Sequence, residues 1–501
     1  AEAAQDAAEV VEVEYDVREA VVSARAAREA GAATVWDEAP GNLSFRWETG
    51  DRDATERAFA EASRTVSVRV HNNRLVAASI EPRGAIGEYD PGQGSYTLHT
   101  PTQGGHTIRR LLAEVLGVTE HAVRVVTPDV GGAFGMKLYF YPEQVLVAWA
   151  ARRVGRPVKW ASSRAEAFLS DTQGRDQTSK GELALDAEGR ILGLRVHTLA
   201  NLGAYLSTLG PLIPTAGGTR ALTGPYEVGA AHVTVEGVFT NTTPVDAYRG
   251  AGRPESIYLI ERLMAAAARE TGLGRVGLRR RTLVPPGRMP YTTALGQVFD
   301  SGDFPAALER ALERAEWEDF PARREEARTR GTLRGIGLCT YMEPCGGNRD
   351  QFAEIRFDRS GGATVMIGSQ STGQGHETAY AQLVADQLGL APERVRVIQG
   401  DTAVVGYGRG TSGSRSLPVG GAALHIAGER VIAKARRIAA HLLEASEADI
   451  EHERGRFAVK GTDRALGFAE IVAAAYEPAR LPEGLDAGLD EIAHYMARPV
   501  T

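Results

Sequence analysis

Cysteine is almost absent from this chain of 501 residues. Its two cysteines, Cys339 and Cys345, are too few for a disulfide framework or a four-cysteine metal site. No apolar run approaches the roughly 18 residues that are needed to span a bilayer. The formal net charge of −7 is mildly acidic and argues against a nucleic acid as the main partner. These absences predict a cytoplasmic protein with no membrane span and no nucleic-acid partner.

Several common catalytic and cofactor-binding signatures are also missing. Residues 408–413 have the G-x-G-x-x-G spacing, but no clear strand precedes them and no acidic residue ends a second strand about 20 residues later, so a Rossmann site is not indicated. The spacing between Gly131 and Lys137 is too short for a Walker loop. His376 has no His or Cys partner at metal-ligand spacing, which favours a hydrogen-bonding role. No nucleophile elbow occurs.

Glycine, in contrast, is abundant, and the most informative glycines lie within residues 128–137. The apolar run 122–126 predicts a buried strand before them, and Pro142 is typical of the first turn of a helix after them. Glycines between a strand and a helix let the backbone turn tightly and approach a ligand. The free N–H groups at a helix start favour an anion such as a phosphate. On its own, the stretch fits a plain tight turn equally well.

The same arrangement occurs twice in the chain. Residues 111–117 align with residues 383–389, which lie 272 positions later, and at that offset Asp129 falls on Asp401. A Gln/Gly/His cluster precedes each of the two predicted helices, at Gln103 and at Gln374. The offset is far longer than the period of a repeat array. The sequence therefore predicts two duplicated lobes that hold one large ligand between them.

The order of the predicted elements indicates an α+β protein in four parts. Residues 1–62 form the end of a preceding domain and a linker, 63–284 the first lobe, 285–332 a charged joint and 333–501 the second lobe. Within these parts we predict a strand over 9–15, a helical patch over 20–30 and one charged helix over 306–330.

Six short motifs occur in an order and spacing that resemble one family. They are residues 102–103, 128–137, 247–253, 373–378, 400–402 and 413–415. Together they resemble the molybdenum-binding large subunit of the xanthine dehydrogenase/aldehyde oxidase family, in particular its aerobic carbon monoxide dehydrogenase branch. The resemblance implies two duplicated mixed α/β lobes of the molybdopterin-binding type, preceded by the tail of an α/β hammerhead domain.

The resemblance also implies cofactors and partners. The chain would hold molybdenum on molybdopterin, in the cytosine dinucleotide form. A small subunit would carry two [2Fe–2S] clusters and a medium subunit FAD, in a dimer of heterotrimers. The implied reaction oxidises an aldehyde or an N-heterocycle, a small molecule, with water as the oxygen source. The alternatives are a protein that holds the cofactor without catalysis, and a carbon monoxide dehydrogenase-like activity without copper.

Carried over by position, the resemblance implies a role for each motif. Gln103 would bind the apical oxygen on molybdenum, and Arg249 would lie in the loop that faces the substrate; with Phe134 they form the catalytic set. The residues implied to line the metal are Gly132, Ala133, Phe134 and Gly135. Those implied to hold the pterin and its pyrophosphate are Gln374, Gly375, His376 and Thr378. Those implied at the nucleotide end are Asp401, Thr402, Thr411, Ser412, Gly413, Ser414 and Arg415. No side chain is implied as a direct metal ligand.

Three departures from the family pattern narrow the function. Gly250 stands where the carbon monoxide dehydrogenases carry a copper-binding Cys, so no copper is expected. Ala251 and Leu138 replace a Phe and a Glu of the purine-oxidising members. The Glu that acts as the catalytic base in the family belongs to a G-x-G-E motif near the C terminus, and this motif does not occur after residue 335. With the abrupt start, this predicts that the chain is a segment of a longer one. Gln103 lies in a turn, so we expect Gln103→Ala to leave the fold nearly intact.

Overall fold

The computed structural model describes residues 2–346 and 350–497. Its α-helices are α1 Glu2–Glu9, α2 Ala24–Ala27, α3 Arg52–Glu61, α4 Gly105–Leu116, α5 Pro142–Val154, α6 Arg164–Ser170, α7 Arg253–Thr271, α8 Gly274–Thr282, α9 Phe304–Arg314, α10 Phe320–Thr329, α11 His376–Leu388, α12 Ala422–Leu442 and α13 Phe468–Ala475. Its strands are β1 Leu43–Gly50, β2 Arg64–Asn72, β3 Gly84–Asp90, β4 Ser95–His99, β5 Val123–Val126, β6 Val158–Ala161, β7 Gln177–Leu185, β8 Ile191–Gly203, β9 Val228–Phe239, β10 Tyr291–Thr292, β11 Val298–Phe299, β12 Asp350–Phe357, β13 Ala363–Ile367, β14 Val395–Ile398, β15 Ile450–Glu453, β16 Arg456–Val459, β17 Ala465–Gly467 and β18 Glu491–Met496. Within the described ranges no helix is long and apolar enough to cross a membrane.

The largest sheet has the strand order β1-β9-β8-β7-β2. Only β8 and β9 run parallel in it, and the other neighbours are antiparallel. Helix α7 covers the sheet because one side of it is apolar, with Leu259, Leu263 and Met264 buried in the same core as Leu183 of β7. The carboxyl ends of β8 and β9 lie side by side at one edge. The loops 204–218 and 240–252 therefore leave the sheet together.

Two smaller sheets share one topology, in the orders β5-β4-β3-β6 and β14-β13-β12-β18. In each, the first two strands along the chain form an antiparallel pair. The third strand lies parallel to the second, and the last lies antiparallel to the first. We call residues 84–161 the first repeat and residues 350–496 the second repeat. The duplication that the 272-residue offset predicts is confirmed.

The helices of the two repeats correspond as well. Helix α4 connects β4 to β5, and α11 connects β13 to β14. Both helices end at a glycine in the left-handed region, Gly117 with φ 67° and Gly389 with φ 70°, which is a common way to end a helix. The second repeat differs by an insertion, the sheet β15-β16-β17 with α13, between α12 and β18.

The edges of the two repeats meet directly. The Thr127 N–H donates to Gly400 O at 2.8 Å, and the Thr402 N–H donates to Val125 O at 3.0 Å. The Thr402 hydroxyl accepts from the Val125 N–H at 2.9 Å, and Thr402 is buried. The segment 400–402 thus runs along β5, at the edge of the sheet of the first repeat. This contact fixes the position of one repeat against the other.

Three predicted elements differ from the structure. The strand predicted over 9–15 is wrong, because α1 ends at Glu9 and the following residues, such as Tyr15, are exposed and pair with no described strand; a strand needs neighbours for its hydrogen bonds. The helical patch over 20–30 is only the single turn of α2. The charged helix over 306–330 is two helices, since Pro321 lies in the first turn of α10 and cannot continue α9.

Candidate functional site

The glycine-rich loop 130–137 is anchored by the ion pair between Glu81 and Lys137. A Glu81 carboxylate oxygen accepts from the Gly131 N–H at 2.9 Å and from Lys137 Nζ at 2.7 Å. The Lys137 side chain is completely buried, and that burial lowers the pKa of its ammonium, although Glu81 opposes the shift. The Thr102 hydroxyl donates to Lys137 O at 2.9 Å. The loop is therefore a fixed element and not a free surface turn.

Glycine is required at Gly135 by its surroundings. Its φ is 105°, and a Cβ at this position would lie 2.3 Å from Ala247 O. Gly132 also has a left-handed φ, of 94°. Between them Ala133 is buried, while Phe134, with φ 55°, leaves 43% of its surface exposed. The loop therefore presents the Phe134 ring to solvent and brings its own backbone against residue 247.

The arginine-containing loop 247–253 lies on the glycine-rich loop. The Arg249 N–H donates to Phe134 O at 2.9 Å. From the other side the Arg175 guanidinium donates to Tyr248 O at 3.0 Å and to Arg249 O at 2.7 Å, and it pairs with Glu255 at 3.1 Å. The Arg249 side chain itself is exposed. The two loops predicted to face the metal and the substrate are thus adjacent.

Gln103 connects these loops to the second repeat. Its Oε1 accepts from the Gly135 N–H at 2.9 Å, and its Nε2 donates to Thr411 O at 2.7 Å. Its backbone carbonyl accepts from the Thr411 N–H at 2.8 Å. Only 5% of the residue is exposed. The expectation that Gln103 contributes little to the fold is therefore wrong, because its buried amide joins two segments that lie more than 250 residues apart in sequence.

The residues predicted at the nucleotide end divide into two groups. Thr411 lies half-buried beside Gln103, and its hydroxyl accepts from the Gln370 N–H at 3.0 Å. Ser412 is half-buried, and Gly413 and Ser414 are exposed on the same loop. The other group is bound within the protein. Arg415 is 2% exposed, and its guanidinium donates to Gln351 Oε1 and Gly410 O, each at 2.9 Å, and to Asp350 O.

Asp401 and Thr402 belong to that second group. The Asp401 carboxylate accepts two hydrogen bonds from the Arg124 guanidinium, at 3.0 and 2.6 Å, and this pair holds the pKa of Asp401 below its usual value despite partial burial. The Thr402 hydroxyl is bonded to the backbone of β5. The structure therefore places Asp401 and Thr402 in the contact between the repeats, whereas the hydrogen bonds of Arg415 to Gln351, Gly410 and Asp350 lie within the second repeat.

The remaining predicted residues lie at the start of α11. Gln374, Gly375 and Thr378 are exposed, and Gly375 adopts φ 74° just before the helix. His376 is buried, and its Nδ1 lies 3.1 Å from Gln399 Oε1. Burial lowers the pKa of His376, which favours the neutral form of its ring. This turn is a separate part of the second repeat, and no hydrogen bond connects it to Gln103 within the described residues.

Buried polar atoms without a hydrogen-bond partner are found around this region of the described chain. They include Ser79 Oγ, Thr127 Oγ1 and Gln370 Oε1. Ser79 packs beside Gly132, and Thr127 and Gln370 both lie against Gly400. A buried polar atom in a folded protein usually has a partner. The orphaned atoms beside the glycine-rich loop and at the junction of the repeats therefore fit a ligand with hydrogen-bonding atoms, such as molybdopterin.

Comparison with known proteins identifies that ligand class. One molybdopterin cofactor-binding domain model matches residues 35–283, and a second matches residues 310–500. The chain belongs to the xanthine dehydrogenase family of molybdenum-binding large subunits. This confirms the resemblance that the six motifs predict.

Individual members of the family align over nearly the whole chain. The carbon monoxide dehydrogenase large chain of Hydrogenophaga pseudoflava is 37% identical over 98% of this chain and 65% of its own length. The 6-hydroxypseudooxynicotine dehydrogenase complex subunit gamma of Paenarthrobacter nicotinovorans is 37% identical over 94% of this chain and 59% of its own. Quinoline 2-oxidoreductase from Pseudomonas putida 86 superposes with a TM-score of 0.92 at 34% identity, covering 98% of this chain and 64% of the other. The chain thus spans about two thirds or less of these family members.

Three residues that support the site escape prediction from the sequence. Glu81 anchors the glycine-rich loop, Arg175 holds the loop at Arg249, and Gln370 lies between the repeats. Each acts on a residue that is at least 50 positions away in the chain. No local pattern marks them, because their partners are brought close only by the fold.

Proposed function

We propose that this chain is the cofactor-binding and catalytic part of a molybdenum hydroxylase, which oxidises an N-heterocycle or an aldehyde with water as the source of oxygen. The observation that supports the proposal best is the position of Gln103. Its buried side-chain amide is hydrogen-bonded both to the glycine-rich loop, at Gly135, and to the second repeat, at Thr411. When bound, the molybdenum cofactor supplies the redox change and activates water. The chain supplies position, hydrogen-bond donors and shape.

Gln103 is proposed to donate to the oxygen ligand of the metal. An amide nitrogen carries two hydrogens, and only one of them is needed for the bond to Thr411 O. Gly132, Ala133, Phe134 and Gly135 would form the wall beside the metal. The exposed Phe134 ring and the exposed Arg249 side chain would orient the substrate, with the ring against its apolar face and the guanidinium toward a carbonyl or ring nitrogen.

The tail of the cofactor is proposed to be cytosine dinucleotide. Gln374, Gly375, His376 and Thr378 would hold the pyrophosphate at the start of α11, where free N–H groups favour an anion. Thr411, Ser412, Gly413 and Ser414 would hold the nucleotide. Asp401, Thr402 and Arg415 would act indirectly, by fixing this loop and the junction between the repeats.

Partners and location follow from the same proposal. Electrons would leave through a small subunit with two [2Fe–2S] clusters to a medium subunit with FAD, in a cytoplasmic dimer of heterotrimers. Among the relatives, one is named as a subunit of a dehydrogenase complex and one as a quinoline oxidoreductase. The second name supports an N-heterocycle as the substrate class for this chain.

Turnover in labelled water tests the reaction class. The native complex is incubated with quinoline and, separately, with benzaldehyde in H₂¹⁸O under single-turnover conditions. We expect ¹⁸O from the solvent in the hydroxylated or carboxylated product of at least one substrate. If a complex that is fully loaded with cofactor oxidises neither substrate, the result would favour a protein that holds the cofactor without catalysis.

Copper is not expected in the complex. Gly250 offers no thiolate, and its φ of 90° places any Cβ 2.6 Å from Pro254 Cγ, so the position also resists a larger residue. Metal analysis of the native complex should give molybdenum and iron with copper far below one equivalent per molybdenum. The same preparation should not oxidise carbon monoxide. Stoichiometric copper, or carbon monoxide oxidation above the rate of a cofactor-free preparation, would contradict this prediction.

A further inference from the structure

An open recess of about 390 Å³ lies at the carboxyl ends of β8 and β9, outside the residues assigned to the cofactor. Its wall contains three aromatic rings, from Trp36, Tyr205 and Phe239, together with the aliphatic side chains of Leu43 and Leu206. The volume falls within the roughly 300–1,000 Å³ that small-molecule sites occupy. Among the residues that line it, Glu38 is the charged one.

The wall that carries Trp36 is held in place by a buried asparagine. Asn42 is completely buried, and its Nδ2 donates to Ala27 O at 3.0 Å and to Ala33 O at 2.9 Å. Its Oδ1 accepts from the Val35 N–H at 2.8 Å. The Trp36 indole N–H donates to Ala204 O at 2.6 Å, across to the opposite wall. The recess is thus preorganised by hydrogen bonds.

The rings are arranged at an angle to one another. Trp36 and Tyr205 have centroids 5.5 Å apart and an interplanar angle of 69°. In this edge-to-face contact the edge of one ring meets the face of the other, so no group fits between them. Both rings are partly exposed and line the recess, and an open aromatic face attracts a cation. Glu38 is exposed, and it forms no ion pair among the described residues. Aromatic faces beside a free carboxylate are chemically suited to a bulky organic cation that is weakly hydrated.

We propose that this recess binds a small organic ammonium ion, with the rings of Trp36 and Tyr205 forming one aromatic wall against its alkyl groups and the Glu38 carboxylate facing its charge. The segment that carries Tyr205 and Leu206 continues to residues that contact the start of the loop at Arg249. Three residues beyond Leu206, the Leu209 N–H donates to Asp246 Oδ2 at 2.9 Å, and Leu209 and Ala247 pack against the same buried cluster around Tyr139. The recess is a separate site, and the proposal does not depend on molybdenum chemistry.

Calorimetric titration of the native complex with choline tests the proposal. Its neutral isostere, 3,3-dimethyl-1-butanol, is titrated in parallel, because it has the same shape without the charge. We expect choline to bind about tenfold more tightly than the alcohol, given the usual strength of cation–π contacts. Trp36→Ala should weaken choline binding about tenfold, and Glu38→Gln about threefold to fivefold at low ionic strength.

Trp149 provides the matched control. It is another exposed tryptophan that lies beside an arginine on α5, in the first repeat, and Trp149→Ala should leave choline binding unchanged. Thermal unfolding of each variant establishes that the fold is retained, and Glu38→Gln, at an exposed position, serves if Trp36→Ala does not fold. Equal affinity for choline and the alcohol would overturn the proposal. So would choline binding that survives Glu38→Gln and Trp36→Ala in folded protein.

Discussion

Gln103→Ala is expected to slow the reduction of the molybdenum cofactor by substrate about 100-fold, because a preorganised donor aimed at developing charge is often worth that much in rate. The same change should lower the free energy of unfolding by about 2 kcal/mol, since it leaves the half-buried Gly135 N–H and Thr411 O without the Gln103 amide as their partner. Stopped-flow reduction by an aromatic aldehyde or quinoline measures the first effect. Denaturant unfolding measures the second.

Gln144 separates these two effects. It is also a buried glutamine of the first repeat, 6% exposed, whose amide accepts from the Tyr141 N–H at 3.0 Å and donates to Thr100 Oγ1 at 3.1 Å. Gln144→Ala should lower the free energy of unfolding by a similar amount. It should leave the rate of reduction within about twofold, because Gln144 is not among the residues proposed to contact the cofactor. If Gln103→Ala and Gln144→Ala variants with equal molybdenum content are reduced at the same rate, the role of Gln103 is structural.

Gly135→Ala is expected to lower turnover about 100-fold or more. A Cβ at this position would lie 2.3 Å from Ala247 O. Ala247 O is a backbone atom and cannot rotate away, so the glycine-rich loop and the loop at Arg249 must separate. A displacement of about 1 Å between groups that position a substrate can reduce the rate by that factor. The variant should also retain less molybdenum. Steady-state rates and metal content per chain measure both effects.

Gly117→Ala is the control for backbone strain alone. Gly117 has φ 67°, also left-handed, but no atom lies within 4 Å of the position of its Cβ. The substitution should therefore cost about 1 kcal/mol of stability without a change in turnover per molybdenum. A Gly135→Ala variant that keeps full molybdenum and full turnover would show that the close approach to Ala247 has no part in the site.

The duplication was predictable because similar residues recur in the sequence at a constant offset. Apolar positions recur at a constant offset, and Gly117 and Gly389 occur at equivalent places because a left-handed helix end favours glycine. The alternation of apolar residues in β2 likewise indicates a strand with one buried face. Patterns of this kind are local, and each carries its own physical reason.

The roles of single polar residues were less predictable. Arg415 follows a loop of glycine and serine, a pattern that suggests a hydrogen-bond donor to a phosphate. In the structure its guanidinium instead donates to Gln351 and to the backbone at Asp350, about 65 positions earlier. Gln103 looks like a free side chain in a turn, but it bridges segments 308 positions apart. Whether a polar side chain faces a ligand or the protein depends on distant segments, which spacing does not reveal.

We propose that the two repeats of this chain hold one molybdopterin dinucleotide, and cofactor analysis of the native complex tests this directly. The complex is denatured, its pterin is oxidised to a fluorescent derivative, and molybdenum, pterin and released nucleotide are quantified per chain. We expect one molybdenum, one pterin and one cytidine monophosphate per chain. Molybdenum with pterin but without any nucleotide would refute the dinucleotide. A fully assembled complex that contains neither pterin nor molybdenum would contradict the proposal that the two repeats hold this cofactor.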